Sequence, residues 1–188
     1  MVSGPPQPLI EDSLVLLDYL DAVRTIVDVG SGGGMPGLPL KLARPDLQVV
    51  LLEADRRKAA FLLQAAARLG VAVEVVIERA ETAGRGPLRE SFDAACSRAL
   101  APMPTLVELC LPLVRVDGQL LAMKTDADAE VEAARAAIRR LGGGAPTIHA
   151  APSPARQLGV VVVVPKVAPT PPAYPRRPGI PNKRPLRA

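Results

Sequence analysis

Residues 25–55 read TIVDVGSGGGMPGLPLKLARPDLQVVLLEAD, an order that few folds accommodate. An apolar run ends in Asp28, glycines follow at 30, 32 and 34, and Pro36 opens a stretch leading to a second apolar run that closes on Glu53. A strand, a tight turn, a helix and a second parallel strand satisfy it. Glycine accepts positive φ in the turn, and proline costs nothing at a first helical position, whose N–H has no partner anyway. In an open sheet of such units, ligands bind beyond the carboxyl ends of the strands, where the strand order reverses. Gly30, Gly32 and Gly34 let a ligand lie against bare backbone there, and Glu53 is placed to accept both ribose hydroxyls of an adenosine.

The periodicity of the remaining chain extends this unit. A helix is expected over 10–23, with Leu14, Leu17 and Leu20 on one face and Asp12 or Ser13 as N-cap. An Ala-rich helix follows over 56–69, stopped by Gly70. Strands are expected at 25–29, 48–53, 71–77, 92–97 and 119–124, the last preceded by an Asp117-Gly118 turn. A helix after Pro102 runs to about Val114. Another over 126–141 carries acids in its first half and Arg135, Arg139 and Arg140 in its last turns, which suits the macrodipole. Two short strands, 147–150 and 159–164, form an antiparallel hairpin. The fold class is therefore α/β, a seven-stranded, mostly parallel sheet with a terminal antiparallel hairpin. Residues 1–9 are expected to be disordered, 10–166 to form one domain, and 167–188 to be a basic, Pro-rich tail.

Composition narrows the class. With 48% hydrophobic but only 2% aromatic residues and no Trp, the core has to be Val, Leu, Ala and Ile. No apolar run approaches the roughly 18–20 residues that span a bilayer, and the start MVSGPPQPLIEDS is unlike a secretory signal. Cys96 and Cys110 lack metal or redox spacing. These features point to a cytoplasmic protein with two reduced thiols, no membrane association and no metal, and a monomer is the expected state. Charge is distributed unevenly: residues 1–132 carry 13 Lys/Arg and 19 Asp/Glu, whereas residues 133–188 carry 10 Lys/Arg and no acid. A basic, acid-free end on an acidic body suits a polyanion such as nucleic acid; a solubilising tail is the alternative.

Three features select the nucleotide. A dinucleotide site wants G-x-G-x-x-G, and here Met35 stands where its third glycine would be. Asp28 places a carboxylate beside the turn, which repels a pyrophosphate and suits a cation. S-adenosyl-L-methionine has an amino group and a sulfonium and no phosphate, and D-x-G-x-G-x-G resembles the first motif of the Rossmann-like methyltransferases. Glu81, after the third strand, is a candidate for the adenine amino group. Arg98 and Lys124, closing the fourth and fifth strands, are candidates for the rim of the site, and Lys124 also for an RNA phosphate. The chain lacks the Asn/Asp-Pro-Pro-aromatic motif of exocyclic-amine methylation, having SRAL after strand four. Neither cysteine sits beside a proline as pyrimidine C5 methylation requires, and the single histidine, His149, falls in an edge strand. No general base is evident. That suits an acceptor such as guanine N7, which has an in-plane lone pair and no proton to lose, so that positioning carries the catalysis.

With these residues in hand, the chain resembles the bacterial 16S ribosomal RNA guanine-N7 methyltransferase family called RsmG or GidB. The resemblance rests on EDSLVLL, DVGSGGGMPGLPLKLARPDLQVVLLEADRRKAAFL, SRAL and the terminal YPRRPGIPNKRPL. It implies a Rossmann-like class I S-adenosylmethionine-dependent methyltransferase fold and methyl transfer to N7 of one guanine in 16S rRNA or the small ribosomal subunit. It also implies cofactor contacts at Gly30, Met35, Ala80, Glu81 and Arg98, and RNA contacts at Arg176, Arg177, Lys183 and Arg184. Family members usually carry a further helical segment ahead of the first helix, where this chain has about ten residues, and the family's Leu-Lys-Gly is here Met123-Lys124-Thr125. Two other readings remain: a methyltransferase for a small molecule or protein, and a non-catalytic RNA-binding protein that retains a cofactor pocket.

Overall fold

A computed structural model describes residues 6–186; the disorder expected for residues 1–5 lies outside the described residues. The strands are β1 (Thr25–Val29), β2 (Gln48–Leu52), β3 (Glu74–Val76), β4 (Phe92–Arg98), β5 (Val114–Lys124), β6 (Thr147–Ala150) and β7 (Val160–Pro165). They form one sheet in the order β3-β2-β1-β4-β5-β7-β6. Pairs from β3 through β5 are parallel, and β7 lies antiparallel between β5 and β6. The expected mixed sheet with its terminal hairpin is thus present. The strand order reverses between β1 and β4, which puts the glycine turn after β1 at the switch point.

The helices are α1 (Gln7–Leu14), α2 (Gly37–Ala43), α3 (Arg56–Leu69), α4 (Ala80–Ala83), α5 (Met103–Cys110), α6 (Asp128–Arg140) and α7 (Ile180–Lys183). β1 is buried on both faces because both are covered, and apart from Asp28 its buried residues are apolar. Ile26 packs with Leu16, Leu20, Leu40 and Leu62 on one side, whereas Val27 and Val29 pack with Leu106, Val107 and Ile138 on the other. Both cysteines are buried within these layers. α3 begins where Asp55 Oδ1 accepts the Arg57 and Lys58 N–H groups at 2.8 and 3.1 Å, and it ends at Gly70, which takes φ 65°.

Beyond shortened bounds, with β3 covering only Glu74–Val76 of the expected 71–77 and α5 ending at Cys110, the structure differs from the sequence reading in four places. The first helix covers Gln7–Leu14 and tightens into a 3₁₀ turn over Val15–Tyr19, so residues 7–9 are helical where disorder was expected. Asp12 and Ser13 are buried inside that helix and do not cap it; Ser13 Oγ donates to the Leu9 carbonyl at 2.7 Å. β5 starts at Val114, because Asp117-Gly118 lies within the strand at an irregularity, where the register against β4 shifts between Phe92 and Ala94. Asp117 takes φ 68°, and a Cβ on Gly118 would lie 2.5 Å from the Asp93 carbonyl, so the strand continues past the irregularity.

The fourth difference is the basic end, which lies along the body as a strap. Lys166 Nζ is buried and donates to the Leu111 carbonyl at 2.7 Å, Thr170 Oγ1 at 2.6 Å and Glu90 Oε1 at 3.1 Å. Arg89 Nη1 holds the Tyr174 carbonyl at 2.7 Å. Arg176 closes on Glu108 of α5 with Nη2 to Oε2 at 2.6 Å, and Thr105 Oγ1 donates to the Pro181 carbonyl at 3.2 Å. Pro181 and Leu186 are buried. Pro-rich composition hid this, since prolines in an extended segment read equally as a tail or as a strap docked by its carbonyls.

Candidate cofactor-binding site

The turn after β1 is built around its own backbone and one carboxylate. Gly30 donates to the Leu52 carbonyl at 2.8 Å, Gly34 to the Ser31 carbonyl at 2.7 Å, and Gly32 to Glu53 Oε2 at 2.9 Å. Glu53 Oε1 accepts the Asp55 N–H at 2.8 Å, so one side chain ties the glycine turn to the start of α3. Gly30 takes φ +74°, and a Cβ there would lie 2.6 Å from Leu100 Cδ1. A side chain there would be strained by the positive φ and would require Leu100 to shift.

A cavity of about 300 Å³ opens at the carboxyl ends of β1 and β2. Gly30, Glu53, Arg79–Glu81, Leu100 and Leu109 border it, and Asn182 of α7 reaches it from the strap. Glu53 and Glu81 are nearly buried, with 7% and 3% of their surface exposed. The border carries Glu53, Glu78 and Glu81 against Lys58 and Arg79, an excess of acid. Leu100 and Leu109 add apolar surface, so the cavity offers carboxylates for hydroxyl or amino groups and an apolar wall for a ring.

Of the nine residues selected from sequence as cofactor contacts, Gly30, Glu53, Ala80 and Glu81 border this cavity. Gly32 and Gly34 shape the turn from behind. Met35 faces the first helix, with its sulfur 3.6 Å from Ser13 Oγ. Asp28 does not reach the cavity surface: it is buried beneath the turn, Oδ2 accepts the Gly37 N–H at 3.0 Å, and Oδ1 has no partner among the described residues. Burial pushes its carboxyl up to about 7 against the opposing pull of the Gly37 N–H and the Arg98 charge. Asp28 was expected as a fixed carboxylate beside the ligand, and the structure makes it a packed post beneath the turn.

Arg98 and Lys124 do end adjacent strands as expected, but each is engaged. Arg98 Nη1 lies 3.5 Å from Asp12 Oδ2, and Asp12 also accepts from Arg156 Nε and Ser153 Oγ, both at 2.7 Å. Lys124 Nζ donates to Glu130 Oε2 at 2.8 Å and to the Ala101 carbonyl at 2.7 Å. Arg156 was missed by sequence reasoning and Asp12 was read only as a cap, because the two partners lie 144 residues apart and leave no local signal; Glu130, six residues from Lys124, belongs to no motif that singles it out. On the strap, Arg177, Lys183 and Arg184 are exposed, whereas Arg176 turns inward to Glu108. His149 lies exposed on β6 against Tyr19. Among the described residues no cluster of three or more His, Cys, Asp or Glu side chains is placed to hold a metal ion, and no helix is long and apolar enough to cross a membrane.

Residues 7–158 match the model of the GidB family, described as rRNA small subunit methyltransferase G. A ribosomal RNA small subunit methyltransferase G from Moorella thermoacetica is 46% identical over 182 residues, covering 94% of this chain and 76% of that protein. One from Roseiflexus castenholzii is 49% identical over 173 residues, covering 90% and 74%. Among solved structures, an S-adenosylmethionine-dependent O-methyltransferase from Thermotoga maritima superposes with a TM-score of 0.64 at 16% identity, covering 84% of this chain and 65% of that one. An rRNA methylase from Streptococcus thermophilus superposes with a TM-score of 0.56 at 19% identity, covering 89% and 100%. At such identities the likeness speaks for the fold alone, which is the Rossmann-like methyltransferase fold.

Proposed function

The chain belongs to the GidB family, rRNA small subunit methyltransferase G, and on that footing we propose that it transfers a methyl group from S-adenosylmethionine to N7 of a guanine in small-subunit (16S) ribosomal RNA in the cytoplasm. The observation that carries this reading is the placement of Glu53, Glu81 and the bare backbone of Gly30 around one cavity, with the exposed cations of the strap alongside. The residues present fit the methyl donor. Glu53 offers its carboxylate to a ribose diol, Glu81 offers one to an adenine amino group, and Leu100 and Leu109 form the apolar wall for the ring. The excess of acid around the cavity suits a ligand with a cationic centre and no phosphate, and disfavours a dinucleotide. The bound donor supplies an electrophilic methyl group.

What the chain itself supplies is alignment. Guanine N7 needs no deprotonation before attack, so holding the base and donor in line is the main requirement. The described side chains agree with an acceptor of that kind. Cys96 and Cys110 lie in the core, and burial pushes both thiols above their ordinary value, so neither is available as a nucleophile for base-carbon methylation. Arg177, Lys183 and Arg184 face solvent on the strap, and that exposure supports the reading that they meet RNA phosphates. Lys124, committed to Glu130, would serve RNA only by leaving that partner.

The assay is transfer of tritium from labelled S-adenosylmethionine into small-subunit particles, or their naked 16S rRNA, isolated without the modification. Stoichiometric incorporation is expected from one of the two substrates. A folded protein that binds S-adenosylhomocysteine and labels neither would overturn the reading.

A further inference from the structure

The strap reaches the cofactor cavity at two points. The Gly179 N–H donates to Glu81 Oε1 at 2.8 Å, across 98 residues of sequence, and Asn182 stands at the cavity border one helical turn further on. Glu81 is the carboxylate at the candidate adenine position, so one of its oxygens is already oriented by the strap. The same few residues of α5 serve both structures: Glu108, fully buried, clamps Arg176, and the adjacent Leu109 borders the cavity. Among the described residues beyond that clamp, the strap is held by a handful of hydrogen bonds and the two buried side chains Pro181 and Leu186. A segment with so few buried apolar anchors opens locally at well below the cost of global unfolding. A ligand that touches only its docked form stabilises that form.

We propose that the strap is a coupling element between the cofactor cavity and the RNA. The docked strap brings Asn182 to the cofactor and orients Glu81, and an occupied cavity in turn holds the strap down. Arg177, Lys183 and Arg184 ride on the same segment, so phosphates that engage them favour the docked strap and thereby the bound cofactor. Coupling of this kind is reciprocal: whatever the cofactor does for RNA affinity, RNA does for cofactor affinity. The inference rests on the cavity being the S-adenosylmethionine site.

The test uses the full chain, with S-adenosylhomocysteine followed by calorimetry and by amide hydrogen exchange. Asn182→Ala removes the strap's polar group at the cavity. The double substitution Glu108→Gln with Arg176→Gln removes the clamp without stranding a buried charge. Binding is expected to slow exchange across residues 176–184, and both variants are expected to lose about fivefold or more in affinity. Transcribed 16S rRNA is expected to tighten S-adenosylhomocysteine binding to the unsubstituted chain and to do so less in the double variant. Unchanged exchange in the strap, with both variants binding as the unsubstituted chain does, would overturn the coupling. Gly30→Asp separates the two claims. If it abolishes binding while the strap variants bind normally, the site stands and the coupling falls; if it too binds normally, the assignment of the cavity falls and takes the coupling with it.

Discussion

Asp28 Oδ2 accepts the Gly37 N–H at 3.0 Å, which joins the end of β1 to the first residue of α2 beneath the glycine turn. This contact explains a glycine that the turn itself does not require. A Cβ on residue 37 would lie 2.4 Å from Leu51 Cδ2 and 2.9 Å from Asp28 Oδ2, and Leu51 is fully buried. Alanine is the better helix former by up to about 1 kcal/mol, but overpacking against a buried leucine costs about 1–3 kcal/mol. Gly37→Ala is therefore expected to lower stability in urea and to weaken S-adenosylhomocysteine binding. A variant of equal or greater stability would show that the contact is slack.

The same carboxyl makes a pH prediction. Asp28 keeps its proton in the folded chain up to about 7, whereas the unfolded chain releases it near the ordinary value of 3.8. Between those values the folded state binds more protons, so this group's contribution is fully present below about pH 4 and is lost as pH rises through about 7. An Asp28→Asn variant carries no ionisable group at this position. From about pH 4 to about pH 8 the unsubstituted protein is expected to lose stability relative to that variant, by on the order of 4 kcal/mol. Asp93 acts in the opposite sense: burial is outweighed by hydrogen bonds from Arg115 and from the Arg24 and Thr25 backbone, which hold it at about 2. Its contribution is lost only as pH falls from about 4 towards 2, outside the window of the comparison. Parallel stability profiles for the two proteins would contradict the assignment of Asp28.

Glu53 has two duties, since it accepts the Gly32 and Asp55 N–H groups and borders the cavity. Glu53→Gln keeps the volume but turns an amide group towards one of those N–H donors. Affinity for S-adenosylhomocysteine is expected to fall about tenfold or more, equivalent to about 1.4 kcal/mol. The KM for S-adenosylmethionine should rise accordingly. Titration calorimetry showing unchanged affinity would remove Glu53 from the site.

The parts of this site that could be read from sequence are those whose signal is local. Gly30 and Glu53 were legible because a strand, a positive-φ turn and a helix impose residue types at short, regular spacings. Asp28 was legible as a position but not in its role, because pattern alone does not distinguish a carboxylate beside a ligand from one packed under the turn. Asp117-Gly118 carried a turn signal, yet the neighbouring strands keep it inside β5 as an irregularity. The Asp12–Arg156 and Glu108–Arg176 pairs were invisible, since each is set by where distant elements dock.

The strap divides its cations into two kinds, and they should behave differently. Arg176 is engaged by a buried glutamate, whereas Arg177, Lys183 and Arg184 face solvent. Replacing these three with Gln is expected to leave thermal stability nearly unchanged and to weaken rRNA binding, making the log–log salt dependence shallower by about 2 for contacts to single-stranded RNA. Arg176→Gln alone strands the Glu108 charge and is expected to lower stability by on the order of 3 kcal/mol. Equal effects of the two substitutions on stability would contradict this division.

Nucleoside analysis of the reaction product distinguishes methyl transfer to guanine N7 from transfer to any other atom of the rRNA. Small-subunit rRNA lacking the modification would be incubated with the protein and labelled S-adenosylmethionine, digested to nucleosides and separated. The label is expected to co-migrate with 7-methylguanosine, and Gly30→Asp to abolish it. Label in a ribose-methylated, exocyclic-amine-methylated or carbon-methylated nucleoside would contradict transfer to N7.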